Sequence, residues 1–391
     1  MRVLKQNPWL PSLGVLLAAV VVGGYARADV TTDEPGSIVI FPKVISDGTR
    51  DTLIQLTNTS TSSAHLHCVY VDTSSASQGT CSGTTPPAQL CSSDAECFAL
   101  DNGTCITCKP YDFDVSLSPL QPTVWRVSVG RDSGDQSLGF FIGAVPPHPI
   151  FAGELKCFQT DIDGVPTGGN AIKGEATIEN LDSGQISEYN GIAIKAINTQ
   201  TVAPTCVGGA NNGALCQTDA NCQLPSLPGG VCKISILLDN TTEYNACPKQ
   251  LLVNHYAEGA ADPFTGAIVD SELTLVPCTE DLAGGVPTTT TVHFDAYNEF
   301  ESLVTSKIVP FTCWLNISLG DSRLTPGFDA ATFATPFGKT RVFPTSDSMS
   351  GVLGVLEEFH QVGTEPDGTA AINLHVVGAR PGDTITLPAV Q

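Results

Sequence analysis

Apolar residues in this chain recur at every second position in short runs separated by polar turns. Three such runs, at 37–45, 52–58 and 65–72, are rich in β-branched side chains. In the third, Leu66, Cys68 and Tyr70 share one face while His65 and His67 take the other, as the two-residue period of a strand requires. Further runs lie at 112–117, 123–129, 138–145, 154–160, 172–178 and 192–197. A second series occupies 233–238, 251–256, 272–276, 290–296, 309–319, 371–377 and 384–387. The run at 309–319 sets Phe311, Cys313, Leu315, Ile317 and Leu319 opposite Thr312, Trp314, Asn316 and Ser318, so Cys313 is expected to face a second core. One short helix is expected at 351–359. Short strands with Gly and Pro in the turns predict an all-β chain. We read two β-sandwiches, at 29–202 and 233–391, joined through 203–232.

The cysteines add two small modules to that picture. Cys81-x9-Cys91-x5-Cys97, ending in Gly103–Thr104–Cys105, recurs as Cys206-x9-Cys216-x5-Cys222, ending in Gly230–Val231–Cys232. Both copies carry a glycine two places after the first cysteine, Gly83 and Gly208, and an Asp-Ala pair, Asp94–Ala95 and Asp219–Ala220. The first module, at about 79–109, is expected as an insertion within the first sandwich and the second as the join between the two. Six more cysteines, Cys68, Cys108, Cys157, Cys247, Cys278 and Cys313, bring the total to an even 14. Four cysteines in a module allow three pairings, and the sequence does not choose among them. Cys68 and Cys157 are expected to be oxidised core cysteines, with each other as one pairing; the same is expected of Cys278 and Cys313.

The N-terminus sets the compartment. Arg2 and Lys5 precede an apolar run at 13–22, and Ala26–Arg27–Ala28 follows as a small-x-small cleavage signal. That order is a secretory signal peptide at 1–28, too short in its apolar part to span a bilayer. Secreted, periplasmic or cell-surface residence follows, where thiols pair. No membrane span is expected in the mature chain. Forty acidic residues against 18 basic ones give a net charge of −22. Such a field repels phosphate backbones and so argues against nucleic acid as a partner.

Two resemblances follow from short motifs. Leu56–Thr57–Asn58–Thr59–Ser60, a following strand, and a turn before Val124–Trp125–Arg126 resemble the bacterial immunoglobulin-like sandwich. Gly153–Glu154–Leu155–Lys156–Cys157, Lys173–Gly174–Glu175–Ala176–Thr177 and Glu243–Tyr244–Asn245–Ala246–Cys247–Pro248 resemble a family of exported, cysteine-containing bacterial proteins. So do Leu273–Thr274–Leu275–Val276–Pro277–Cys278 and Tyr297–Asn298–Glu299–Phe300–Glu301. The resemblance implies architecture and compartment and carries no reaction with it.

Candidate chemistry is sparse. Cys105-x2-Cys108 lacks the βαβ setting of a redox pair and the second Cys-x2-Cys of a zinc site, so structural disulfides are expected. His65 and His67 leave one strand face together, a geometry for two metal ligands with no third in sight. Asp161-x-Asp163–Gly164 resembles part of a calcium loop, but Gln159 and Asn170 stand where further ligands belong; a turn is the better reading. No cofactor is expected, and calcium has no complete motif. The Gly-x-Ser-x-Gly elbow is missing. The acidic pairs Glu357–Glu358 and Glu280–Asp281 are the residues a glycosidase would draw on. Trp125, Trp314 and Phe140–Phe141 are candidates for a sugar-stacking platform, with core packing as the commoner use of such rings. The expected function is therefore non-enzymatic: a surface, matrix or binding component with an extracellular or envelope partner. A carbohydrate-active hydrolase is the alternative, and an inhibitor-like role for the cysteine modules a weaker one.

Overall fold

A computed structural model describes residues 30–74, 108–132, 143–198, 202–224, 229–283 and 288–389, with backbone strands at Gly79–Cys81, Leu90–Cys91, Cys105–Ile106 and Phe141–Ile142. The segment 1–28, expected as a signal peptide, and residues 138–140 of the run at 138–145 lie outside the described residues, as do the side chains of Phe141, Ile142, Cys81, Cys91, Cys97 and Cys105. The chain is nearly all-β, arranged in several sheets; among the described residues the helices are two single turns, Asp219–Cys222 and Ala330–Phe333.

In the N-terminal half, Ala64–Asp72 and Ile38–Ser46 flank Phe151–Thr160 in one layer, with Lys109–Leu117 at its far side. Arg50–Asn58, Pro122–Arg126, Ile172–Asn180 and Ile186–Asn190 form a second layer. The layers meet at one rung, Ser46 against Asp51. Between them lies a core that includes Phe41, Leu56, Leu66, Tyr70, Phe113, Trp125 and Leu155. In the second layer, burial alternates along the strands, as expected for a sheet with one wet face.

The first layer does not alternate. All nine residues of Ile38–Ser46 are buried, because its second face carries another core. There Ile38, Ile40, Val69, Val71 and Phe158 pack against Ile234, Ile236, Leu238, Ile385 and Leu387 of the C-terminal half. A third core, with Leu251, Phe294, Phe328 and Phe333, lies between the sheet containing Thr289–Asn298, Phe337–Pro344 and Cys247–Tyr256 and the sheet containing Ile268–Pro277 and Val352–Val362. The two halves therefore share a core.

Two expectations need correction here. The segment expected as a helix at 351–359 is the strand Val352–Val362, paired with Ile268–Pro277 and Glu365–Asn373. Val355 joins the N-terminal core and Leu356 the third core, so both faces are covered and the run reads apolar throughout. The strand expected at 309–319 breaks at Cys313, whose φ is +56°, leaving Leu303–Thr312 and Leu315–Ser318. Phe311 and Leu315 face the third core, but Cys313 turns into the core shared by the halves.

One hydrogen bond inside the N-terminal core offers a simple test. Trp125 Nε1 donates to Tyr70 Oη at 2.7 Å, and both side chains are buried. Tyr70→Phe strands the indole N–H and is expected to lower unfolding free energy by about 1–3 kcal/mol. Urea denaturation followed by tryptophan fluorescence measures it, and a change within error would mean that another acceptor serves Trp125.

Candidate functional site

Five disulfides join described cysteines. Cys206–Cys222 and Cys216–Cys232 interlock within the second module. Cys206 and Cys232 lie opposite each other in a ladder, as do Cys81 and Cys105 in the backbone of the first module. Asp219 Oδ1 accepts the Cys232 N–H at 2.7 Å, and Gly208 has a φ of +72°, so the shared Asp and the shared Gly after the first cysteine each have a backbone task. Cys68 and Cys157 sit in register on adjacent strands and are bonded. Cys278 and Cys313 are not partners: Cys278 bonds Cys247, and Cys313 bonds Cys108 across the halves. The break at Cys313 turns its sulfur away from the strand face on which alternation had placed it. Cys108 is thereby unavailable to a Cys105-x2-Cys108 redox pair. Three cysteine sulfurs in the second module, and two beside Asp383, lie within metal-ligand range of one another, but all are committed to disulfides.

The other sequence candidates separate. Neighbours on a strand point to opposite faces. Glu357 accordingly meets Lys43 at 2.7 Å, while Glu358 accepts the Tyr256 N–H at 3.4 Å. Glu280 meets Lys156, and Asp281 meets Lys233 at 2.8 Å. Neither acidic pair faces one substrate. His65 Nδ1 pairs with Ser116 Oγ at 2.8 Å and His67 Nδ1 with Asp114 Oδ1 at 3.0 Å. Asp161 Oδ1 accepts the N–H groups of Asp163 and Val165, closing a turn with Gly164 at φ +78°. Trp125 is core, Trp314 Nε1 donates to the Pro42 carbonyl at 2.8 Å, and Phe140–Phe141 lies outside the described side chains.

Sequence reasoning missed two features. The first is a pair of buried lysines at the seam. Lys43 lies between Glu272 and Glu357, each at 2.7 Å, with Arg50 at 3.3 Å from Glu272. Burial alone would raise the Glu272 pKa, but Lys43 and Arg50 outweigh it and hold the group down at about 2. Lys156 lies between Glu154 at 2.6 Å and Glu280 at 2.5 Å, and none of the three is appreciably exposed. A lysine inside an unbroken apolar run, as at Ile40–Phe41–Pro42–Lys43–Val44, was the available signal.

The second feature is an open groove on the outer face of the C-terminal half, about 740 Å³ in volume. Asn254, Lys339 and Tyr297 stand side by side on three adjacent strands, in register. Phe337, Arg341 and Glu299 extend the floor and wall. Phe337 stacks on Tyr256 at 4.3 Å between centroids, and the Arg341 guanidinium lies over Phe343. Gly338 is obligatory: a Cβ there would sit 2.1 Å from the Phe333 ring beneath. The signal for this groove was alternation in Tyr297 and in Lys339–Arg341, whose outward faces only the strand pairing brings together.

No protein-family model and no curated protein matches the chain. Among solved structures it is similar to a "putative secreted protein" from Parabacteroides distasonis, at 7% identity over 88% of this chain and 73% of the other, with a TM-score of 0.16. At that score the likeness does not reach the fold. Among the described residues no helix is long and apolar enough to cross a membrane.

Proposed function

We propose that this is an exported, non-enzymatic binding component of a cell surface, matrix or surrounding medium, with a glycan as its partner. The groove at Asn254, Lys339 and Tyr297 carries the reading. Part-exposed aromatic rings offer flat apolar faces to sugar rings, while an amide, an ammonium and a guanidinium supply donors for hydroxyl or carboxylate oxygens. The disulfides support an oxidising compartment outside the cytosol. The divergent acidic pairs weigh against the hydrolase alternative, because a glycosidase needs two carboxylates flanking one bond.

Tyr297 and Lys339 lie at the surface, so Tyr297→Ala with Lys339→Ala is expected to leave the fold intact. Retention on an array of bacterial polysaccharides and uronate-containing oligosaccharides should weaken by about tenfold or more. Equal retention of variant and wild type, or no retention of either, would overturn the groove as the site.

A further inference from the structure

We propose that Lys156 and Glu280 become joined by a side-chain amide, with Glu154 carrying the protons, so that the two halves are welded by a covalent bond no cysteine supplies. The geometry is that of reactants already assembled. Lys156 Nζ lies 2.5 Å from Glu280 Oε2 and 2.6 Å from Glu154 Oε1, and all three side chains are at least 96% shielded. Holding an amine and an acyl group together in this way replaces the collision that limits amide formation in solution.

The surroundings exclude water. Lys156 lies opposite Ile40 on one neighbouring strand and Val69 on the other, and Glu154 lies opposite Val71. Those three, with Phe158, belong to the dry core between the halves. Neither oxygen of Glu154 receives an aligned hydrogen bond. Two carboxyl groups therefore compete for one ammonium where an unpaired charge is costly. Burial, reinforced by the nearby Glu280 charge, drives the Glu154 pKa well above the ordinary range, so this group holds a proton. Burial also works against the Lys156 charge, but the two carboxylates more than offset it, so the amine lone pair is released only by proton transfer within the cluster.

The step balances without any co-reactant. Glu154 passes its proton to the Glu280 carboxylate and accepts one from the Lys156 ammonium. The freed Nζ attacks Cδ of Glu280, forming the C–N bond. Glu154 returns a proton to the Glu280 hydroxyl, the C–O bond breaks, and one water leaves. The second proton lost by Nζ goes back to Glu154, which ends as it began. The Lys156–Glu280 ion pair becomes a neutral amide beside a neutral acid, the outcome a dry interior favours.

The Lys43 cluster is an internal contrast. It also places a buried lysine between two glutamates, but Arg50 supplies a second cation and Glu272 keeps its charge. With that second cation beside Glu272, that cluster is expected to stay ionic.

Intact mass of the fully reduced, denatured protein tests the idea. The wild type is expected to be lighter than its mature sequence by one water, and a protease digest should contain one branched peptide uniting the segments around Lys156 and Glu280. Glu154→Gln, checked for native circular dichroism, is expected to restore the full mass. A wild type of full mass, or a lost water that maps to any other residue, overturns the proposal. A Glu154→Gln protein that still loses the water overturns the role of Glu154.

Discussion

Replacing Cys108 and Cys313 together by alanine is expected to lower the unfolding free energy by about 5 kcal/mol and to divide one transition into two. The two cysteines lie 205 residues apart, so their bond closes the longest loop among the described disulfides. Loop-closure entropy grows with the logarithm of that length, which makes this the most stabilising of the five. It is also the one that spans the halves. Without it, no disulfide among the described cysteines joins the halves, and each half keeps its own core to unfold around. An amide between Lys156 and Glu280 would shorten the loop, but a logarithm trims the effect only slightly. Urea denaturation at neutral pH checks the result. Trp125 reports on the N-terminal core, and Trp314, bonded to the Pro42 carbonyl, reports on the seam. Coincident transitions with a loss under about 1 kcal/mol would show that the shared core, not the bond, unites the halves.

The sequence carried much of this architecture and little of the seam. Strands with one wet face, such as Arg50–Asn58 and Thr289–Asn298, announce themselves through alternation. Val352–Val362 hides because both its faces are covered, which erases the period. Cys68 and Cys157 could be placed on one core from their local patterns alone. The partner of Cys313 could not, because Cys108 arrives from the other half and a kink redirects the sulfur. The groove was hidden for a related reason. Asn254, Tyr297 and Lys339 are far apart along the chain, and only strand order makes them neighbours. The acidic pairs misled in the opposite way, being adjacent in sequence and opposed in space.

Lys43→Met is expected to cost about 3–5 kcal/mol near neutral pH, because it leaves the buried Glu357 carboxylate with the Ser187 hydroxyl but without its lysine, and strips Glu272 of its nearest cation. The cost should shrink in acid, and the sign follows from Glu272. Its folded pKa of about 2 lies below the ordinary value near 4.5, so the native state prefers the charged form. That stability is fully present above about pH 4.5 and is lost as pH falls through 2, a contribution of about 3 kcal/mol. Glu154, Glu258, Glu358 and Asp383 act in the opposite sense, because burial raises their pKa values; their stabilisation is greatest in acid and fades as pH rises. The difference between wild type and Lys43→Met cancels those groups and isolates the Lys43 cluster. Plotted against pH, the difference should fall steadily from pH 5 toward 2. Adding Glu357→Leu to Lys43→Met should recover a large part of the neutral-pH loss, because the stranded charge is gone. A difference that stays flat with pH, together with no recovery in the double variant, would mean that the lysine stem's packing, not its charge, matters at the seam.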